Sequence, residues 1–230
     1  MSITAPHLDR RKSPAPSGHQ GAPSSTQSLG VVVLLAVALF ALVTPFAMPA
    51  SYTWTEHGIS ESAAQGIDGA WVTRTGFILF GLAVLWLARL RRDAWKLVGT
   101  ALHGAFAVSM FAVAAFSAKS WEPEAVYVES EDILHSVFAG IIGFGFIVGV
   151  VAVMVARRLP STRAALPDIA AIIIPTAISL TMSTSIWGLL QRVMFVTAAA
   201  WYTREVILGG PSRDPSPRVS AVLGREDAMS

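Results

Sequence analysis

The run Glu129-Ser130-Glu131-Asp132-Ile133-Leu134-His135-Ser136-Val137-Phe138-Ala139-Gly140 opens an uncharged apolar stretch that continues to Ala156 and is closed by Arg157-Arg158. A bilayer asks for such a stretch. Its hydrocarbon core is about 30 Å thick, and a helix rising about 1.5 Å per residue needs about 20 apolar positions to cross it. The stretch therefore reads as a membrane-spanning helix with an acidic cluster and a histidine at its mouth. Ionisable groups in that position are costly, and they are usually paired.

The rest of the chain repeats this design. Its 230 residues are 53% hydrophobic and 14% charged, with a mean hydropathy of +0.56, whereas soluble domains carry roughly 25% charged residues. Long uncharged blocks predict spans over residues 29–48, 70–90, 95–116, 133–156, 166–184 and 185–208. Pro45 and Pro49 loosen the far end of the first, and Pro175 marks a kink in the fifth that a bundle tolerates. The flanking segments 1–28 and 209–230 are rich in Ser, Pro and Arg and are expected to be disordered tails. The first apolar run exceeds the roughly 7–15 residues of a signal-peptide core. It also starts too far beyond Arg10-Arg11 for a twin-arginine signal. No internal repeat is visible.

Charge sets the orientation. With both termini in the cytoplasm, 14 of the 17 Lys and Arg residues fall on the inner side, while 8 of the 15 acids fall outside. That is the bias that orients membrane helices. The expected fold class is thus all-α: a multi-pass helix bundle of the cell membrane, with six spans over 29–208 and both termini cytoplasmic. The net charge of +2 and pI near 9.3 do not indicate nucleic acid, because the basic residues sit at the ends of apolar runs. The chain has no cysteine, which excludes disulfides, thiolate metal sites and a cysteine nucleophile. P-loop, Rossmann, GxSxG and HExxH patterns are absent, and no cofactor is implied.

At 3.6 residues per turn, Glu131, Asp132, Ala139, Ile142 and Gly149 fall on the same broad side of the fourth span as His135. That side is expected to face the bundle. Gly145 and Gly149 form a GxxxG pair suited to close helix packing. His103 in the third span lies among Gly99, Thr100, Ala107 and Met110, a small-residue stripe expected to meet another helix. Thr176, Ser179 and Ser183 can bond within their own helix or to a neighbour. Arg74 and Arg192 lie inside the second and sixth spans near the outer face. An arginine at mid-bilayer costs roughly 2.5–3.5 kcal/mol. A carboxylate partner is expected for Arg192 from Glu56, Glu61, Glu131 or Asp132, whereas Arg74 can snorkel.

The order Ile59-Ser60-Glu61, Trp71, Gly76-Phe77-Ile78-Leu79-Phe80-Gly81, Leu134-His135 and Gly188-Leu189-Leu190-Gln191-Arg192 resembles a prokaryotic membrane family. That family is domain of unknown function 998; a more distant resemblance is to the six-span Frag/DRAM/Sfk-type proteins. The similarity covers roughly residues 30–208. The family's Ser-Glu/Asp-Leu-Gly is replaced here by Ser60-Glu61-Ser62-Ala63. The resemblance implies six spans and supplies no mechanism.

The functional reading that follows is a non-enzymatic membrane protein with an outward-facing polar pocket. Glu61, Arg74, Asp132, His135 and Arg192 would hold a lipid headgroup or a small anionic ligand, since the arginine fork suits phosphate and carboxylate. One alternative is an outer-face metal hydrolase ligated by His57, His135 and Asp132 or Glu61. Another is a small transporter, although no paired interrupted helices are visible. Haem ligation by His103 and His135 is disfavoured, because the two start from opposite ends of their spans.

Overall fold

Five α-helices and two short 3-10 turns make up the residues described by the computed structural model, 25–158, 161–181 and 185–209, with no strand among them. Most of the two expected disordered tails, and part of the expected turn at 183–185, lie outside the described residues. Helix α1 (Ser25–Val43) starts earlier than expected and passes into a 3-10 turn, Thr44–Ala47, at Pro45. The missing proline N–H makes that change of winding inexpensive. A second 3-10 turn, Glu61–Ala63, lies in the loop that follows. Then come α2 (Ala70–Ala115), α3 (Glu129–Arg157), α4 (Thr162–Ser179) and α5 (Trp187–Leu208).

The expected second and third spans turn out to be a single element. Helix α2 has 46 residues, about 69 Å if straight and more than twice the bilayer core. It is not straight. At Lys96 the backbone leaves the helical region, with φ 58° and ψ 179°, and the two arms fold back on each other. The rings of Phe80 and Phe106 meet edge-on with centroids 5.4 Å apart. A Cβ at Gly81 would stand 2.9 Å from the carbonyl oxygen of Ala107. The element count is therefore five rather than six, because the polar stretch 89–96 between the two apolar blocks is itself helical and two helices run together across the kink at Lys96. Three helices, α2, α3 and α4, are long and apolar enough to cross a membrane.

Helix α3 packs along α2, α4 joins α3 to α5, and α5 returns to α1, which also touches α2. The interior is aromatic: Trp95, Phe80, Phe106, Phe146, Trp201 and Tyr202 are all buried. The outside of α1 presents Leu29, Val32, Leu35 and Leu39 at 57–63% exposure, as lipid contact requires and water would not favour. Inside α4, Thr176 and Ser179 donate to the carbonyls of Ile172 and Pro175 at 2.6 and 2.8 Å. Those two hydroxyls serve their own helix.

The GxxxG pair of α3 packs against the second arm of α2. A Cβ at Gly149 would stand 2.8 Å from the imidazole of His103, which has no exposed surface. Around Gly143 nothing lies within 4 Å of an added Cβ. Gly149→Ala is therefore expected to destabilise the protein by about 1–3 kcal/mol through overpacking. Gly143→Ala should be neutral or stabilise by up to about 1 kcal/mol through helix propensity. Thermal unfolding in detergent micelles compares the two; equal effects would show that α3 does not press on His103.

Candidate functional site

Polar side chains gather at both ends of the bundle. At the end bearing the 50–69 loop, two arginines hold backbone carbonyls. Arg192 donates through Nη1 to the carbonyl oxygens of Trp54, His57 and Gly188 at 2.7, 3.0 and 2.8 Å. Its Nη2 donates to the Tyr52 hydroxyl at 2.7 Å. Its guanidinium carbon lies 5.9 Å from the ring centroids of both Tyr52 and Trp54. Arg74 donates through Nε and Nη2 to the carbonyls of Ala63 and Ala64, each at 3.1 Å. The expected carboxylate partner for Arg192 is therefore replaced by the loop main chain. Among the described residues, no acid comes within 4.0 Å of either guanidinium. The loop can approach so closely because position 188 is glycine. A Cβ there would stand 2.2 Å from the His57 carbonyl oxygen.

The acids at the mouth of α3 do the complementary job. Asp132 accepts from the amide of Lys119 at 2.8 Å, and Glu131 from the amide of Ser117 at 3.3 Å. Both fasten the 117–120 segment over the first turn of α3, where negative charge also suits the helix dipole. Glu61 accepts from the amide of Gly58 within its own turn. His135, buried, pairs its Nδ1 with the Phe116 carbonyl at 2.9 Å.

The five expected ligand-binding residues are thus spread over three settings. Arg74 and Arg192 lie under the loop. Glu61 and Asp132 line a cleft of about 470 Å³ together with Lys119, Trp121 and Tyr127. His135 lines a larger groove of about 590 Å³ between α2, α3, α4 and α5. Ser60, Ser136, Ser179, Gln191 and Trp187 join His135 there, and the rest of the wall is mostly apolar, with Phe80, Phe106 and Phe146 among its lining residues. Gln191 connects the groove to the loop: its Oε1 accepts from the Ser60 amide, and its Nε2 donates to the Ser60 hydroxyl, both at 3.3 Å. The histidine ligands of the metal alternative are engaged elsewhere. His57 Nδ1 accepts from the Thr53 amide at 2.8 Å, and its ring stacks on Trp121. No group of three or more His, Asp or Glu side chains suited to a metal occurs among the described residues.

The opposite end holds a cluster that the sequence reading did not single out. Asp168 and Glu205 have no exposed surface. Glu205 pairs with Arg157 and, at 3.5 Å, with Arg91. Asp168 pairs with Arg204 at 2.8 Å and with Arg157 at 3.7 Å. The indoles of Trp95 and Trp201 donate to Glu205 and Asp168 at 2.9 and 2.8 Å. Next inward, His103 Nδ1 meets the Tyr202 hydroxyl at 2.9 Å. This is the helix-to-helix contact expected of that histidine. One signal in the chain did point here. Asp168 and Glu205 are acids at the ends of apolar helices otherwise marked by arginine, an unfavourable placement unless they are paired.

Helices of this length and apolarity, packed through buried ionic and aromatic contacts, define a membrane protein. The chain belongs to the family described as protein of unknown function (DUF998), whose model matches residues 28–204. No curated protein and no solved structure matches it.

Two consequences concern the loop. Arg192→Gln leaves several carbonyls without their charged donor and is expected to destabilise the protein by about 3 kcal/mol or more. The same change at the Arg74 site, which has two such bonds and more exposure, should cost less. Burial raises the pKa of the Tyr52 hydroxyl above its ordinary value of 10.0, with Arg192 opposing the rise. Because the folded value is the raised one, Tyr52's contribution to stability is complete below about pH 10 and is lost as pH climbs through the raised value. Thermal melts of wild type and Tyr52→Phe across alkaline pH check this. The difference between them should narrow above pH 10, and a constant difference would contradict it.

Proposed function

We propose that this chain is an integral protein of the cell membrane, with six crossings and both termini in the cytoplasm, that holds the polar head of a lipid at the outward mouth of its groove. The two arms of α2 would supply two crossings, and α1, α3, α4 and α5 one each. The distribution of Lys and Arg supports the orientation.

The observation that carries the ligand reading is the division of the groove. Its polar residues, His135, Ser136, Ser60, Ser179 and Gln191, come from the end nearest the loop, and the rest of the wall is mostly apolar. A volume of about 590 Å³ is within the range of small-molecule sites, about 300–1,000 Å³. An amphiphile satisfies both parts, with its head at the mouth and its apolar part along the aromatic wall. A small acid would satisfy the mouth alone.

Within this reading His135 is the one expected site residue that would touch the ligand, together with Gln191 and Ser60. Arg74 and Arg192 would act as positioning residues. They hold the loop that forms the rim and place positive charge near an anionic head. Glu61 and Asp132 would stand at the neighbouring cleft.

Lipid extracted from the purified protein and identified by mass spectrometry tests the reading. In a variant carrying His135→Leu and Gln191→Leu, the affinity for the co-purifying lipid should fall about thirtyfold, the effect of losing two hydrogen bonds of roughly 1 kcal/mol each. Lipid content equal to wild type in a folded variant would sink the headgroup site. Fluorescent reporters fused to each terminus test the orientation and should both report from the cytoplasm.

A further inference from the structure

The groove is closed at its inner end by rings, and beneath those rings polar groups resume. Phe80, Phe106 and Phe146 all line the groove. The ring of Tyr202 touches all three from below, with centroids 5.8, 5.4 and 5.7 Å away. The Tyr202 hydroxyl then bonds to His103, whose ring lies 4.5 Å from Trp95, and Trp95 donates to Glu205 in the ionic cluster. One line through the molecule thus runs from a polar mouth through an aromatic plug to the His103–Tyr202 pair and a cluster of five charged side chains.

The cluster is an unusual fastening. It joins the end of the first arm of α2 to α3, α4 and α5. Apolar packing would do this as well or better, since taking two carboxylates out of water offsets most of their attraction to the arginines. It is also incompletely bonded. Glu205 Oε1, Asp168 Oδ2 and Arg91 Nε are buried without a hydrogen-bond partner. A network of this kind gains when water enters. An apolar one would lose, so the cluster is better suited to opening than to permanent closure.

We propose that the protein is a carrier for its amphiphile, seen here open outward and closed inward. The groove is the outer half of a transit path, the aromatic floor is its plug, and the Asp168–Glu205 cluster is its cytoplasmic gate. The proposal rests on the outward-groove reading above. Breaking one buried pair in the cluster should shift the population toward an inward-open arrangement.

The chain lacks cysteine, so single introduced thiols report cleanly. Gly143→Cys places one on the groove wall, where nothing lies within 4 Å of a Cβ. Glu124→Cys and Arg163→Cys, both exposed, mark the outer and inner faces. A membrane-impermeant maleimide is added to intact cells and to inverted vesicles. Gly143→Cys alone should react from outside only. Adding Glu205→Gln should raise its rate from inside about tenfold, a coupling in the usual range for such shifts. Where Glu205→Gln alone fails to fold, the double change Glu205→Gln with Arg157→Gln removes opposite charges together and serves the same test. Unchanged inner protection in a folded variant overturns the carrier proposal and leaves the cluster a clamp, with the outer groove intact. Gly143→Cys unreactive from both sides, or markers on the wrong faces, overturns the groove and orientation reading, and the carrier with it.

Discussion

Two carboxylates with no contact to solvent govern how this bundle is held together. Asp168 and Glu205 are each reached by two or more arginines and by one indole N–H. None of these partners is a neighbour in sequence except Arg204. An isolated carboxylate in such surroundings would be far too costly to keep charged. The helices that bring the arginines and tryptophans therefore have to converge at that point. Trp95 and Trp201, fixed by their bonds to the acids, in turn frame His103, and His103 fills the space left by Gly149. The aromatic interior grows out from that point layer by layer.

The other end of the molecule is ordered by a different rule. Its charged groups mostly meet main chain rather than one another. Arginines take carbonyls, and acids take amides. Each such bond is charge-assisted and stronger than a neutral one, and it fixes a loop that has little regular structure of its own. A groove rim made of irregular chain is thereby given a defined shape. The polar lining of that groove is left largely neutral: a histidine, three hydroxyls and an amide.

Much of the scaffold was legible in the sequence. The apolar blocks located every helix to within a few residues, because the hydropathy requirement of a bilayer is strict. The reversal at Lys96 was expected as the turn between two oppositely directed spans, but as a short loop, since four basic residues in eight positions read that way, rather than as helix running up to the break. The site was less legible. Arg192 was correctly seen to need partners, but backbone carbonyls are present at every position and leave no mark in the residue letters, so a carboxylate was expected instead. His135 stood out because polar side chains in apolar runs are rare, whereas Gln191 was named only within the family-like run before Arg192. Asp168 and Glu205 passed unnoticed for the opposite reason. Each stands beside helix ends already rich in charge, where an acid reads as surface, and only the three-dimensional convergence of α3, α4 and α5 buries them.

The position of Glu205 in the last helix also bears on how the protein is made. Arg91 and Arg157 leave the ribosome well before it, and their carboxylate arrives only with the final turns of α5. Until then Arg91 lacks its carboxylate and Arg157 has Asp168 alone. Helix α5 works as a clasp on helix ends that were made well before it.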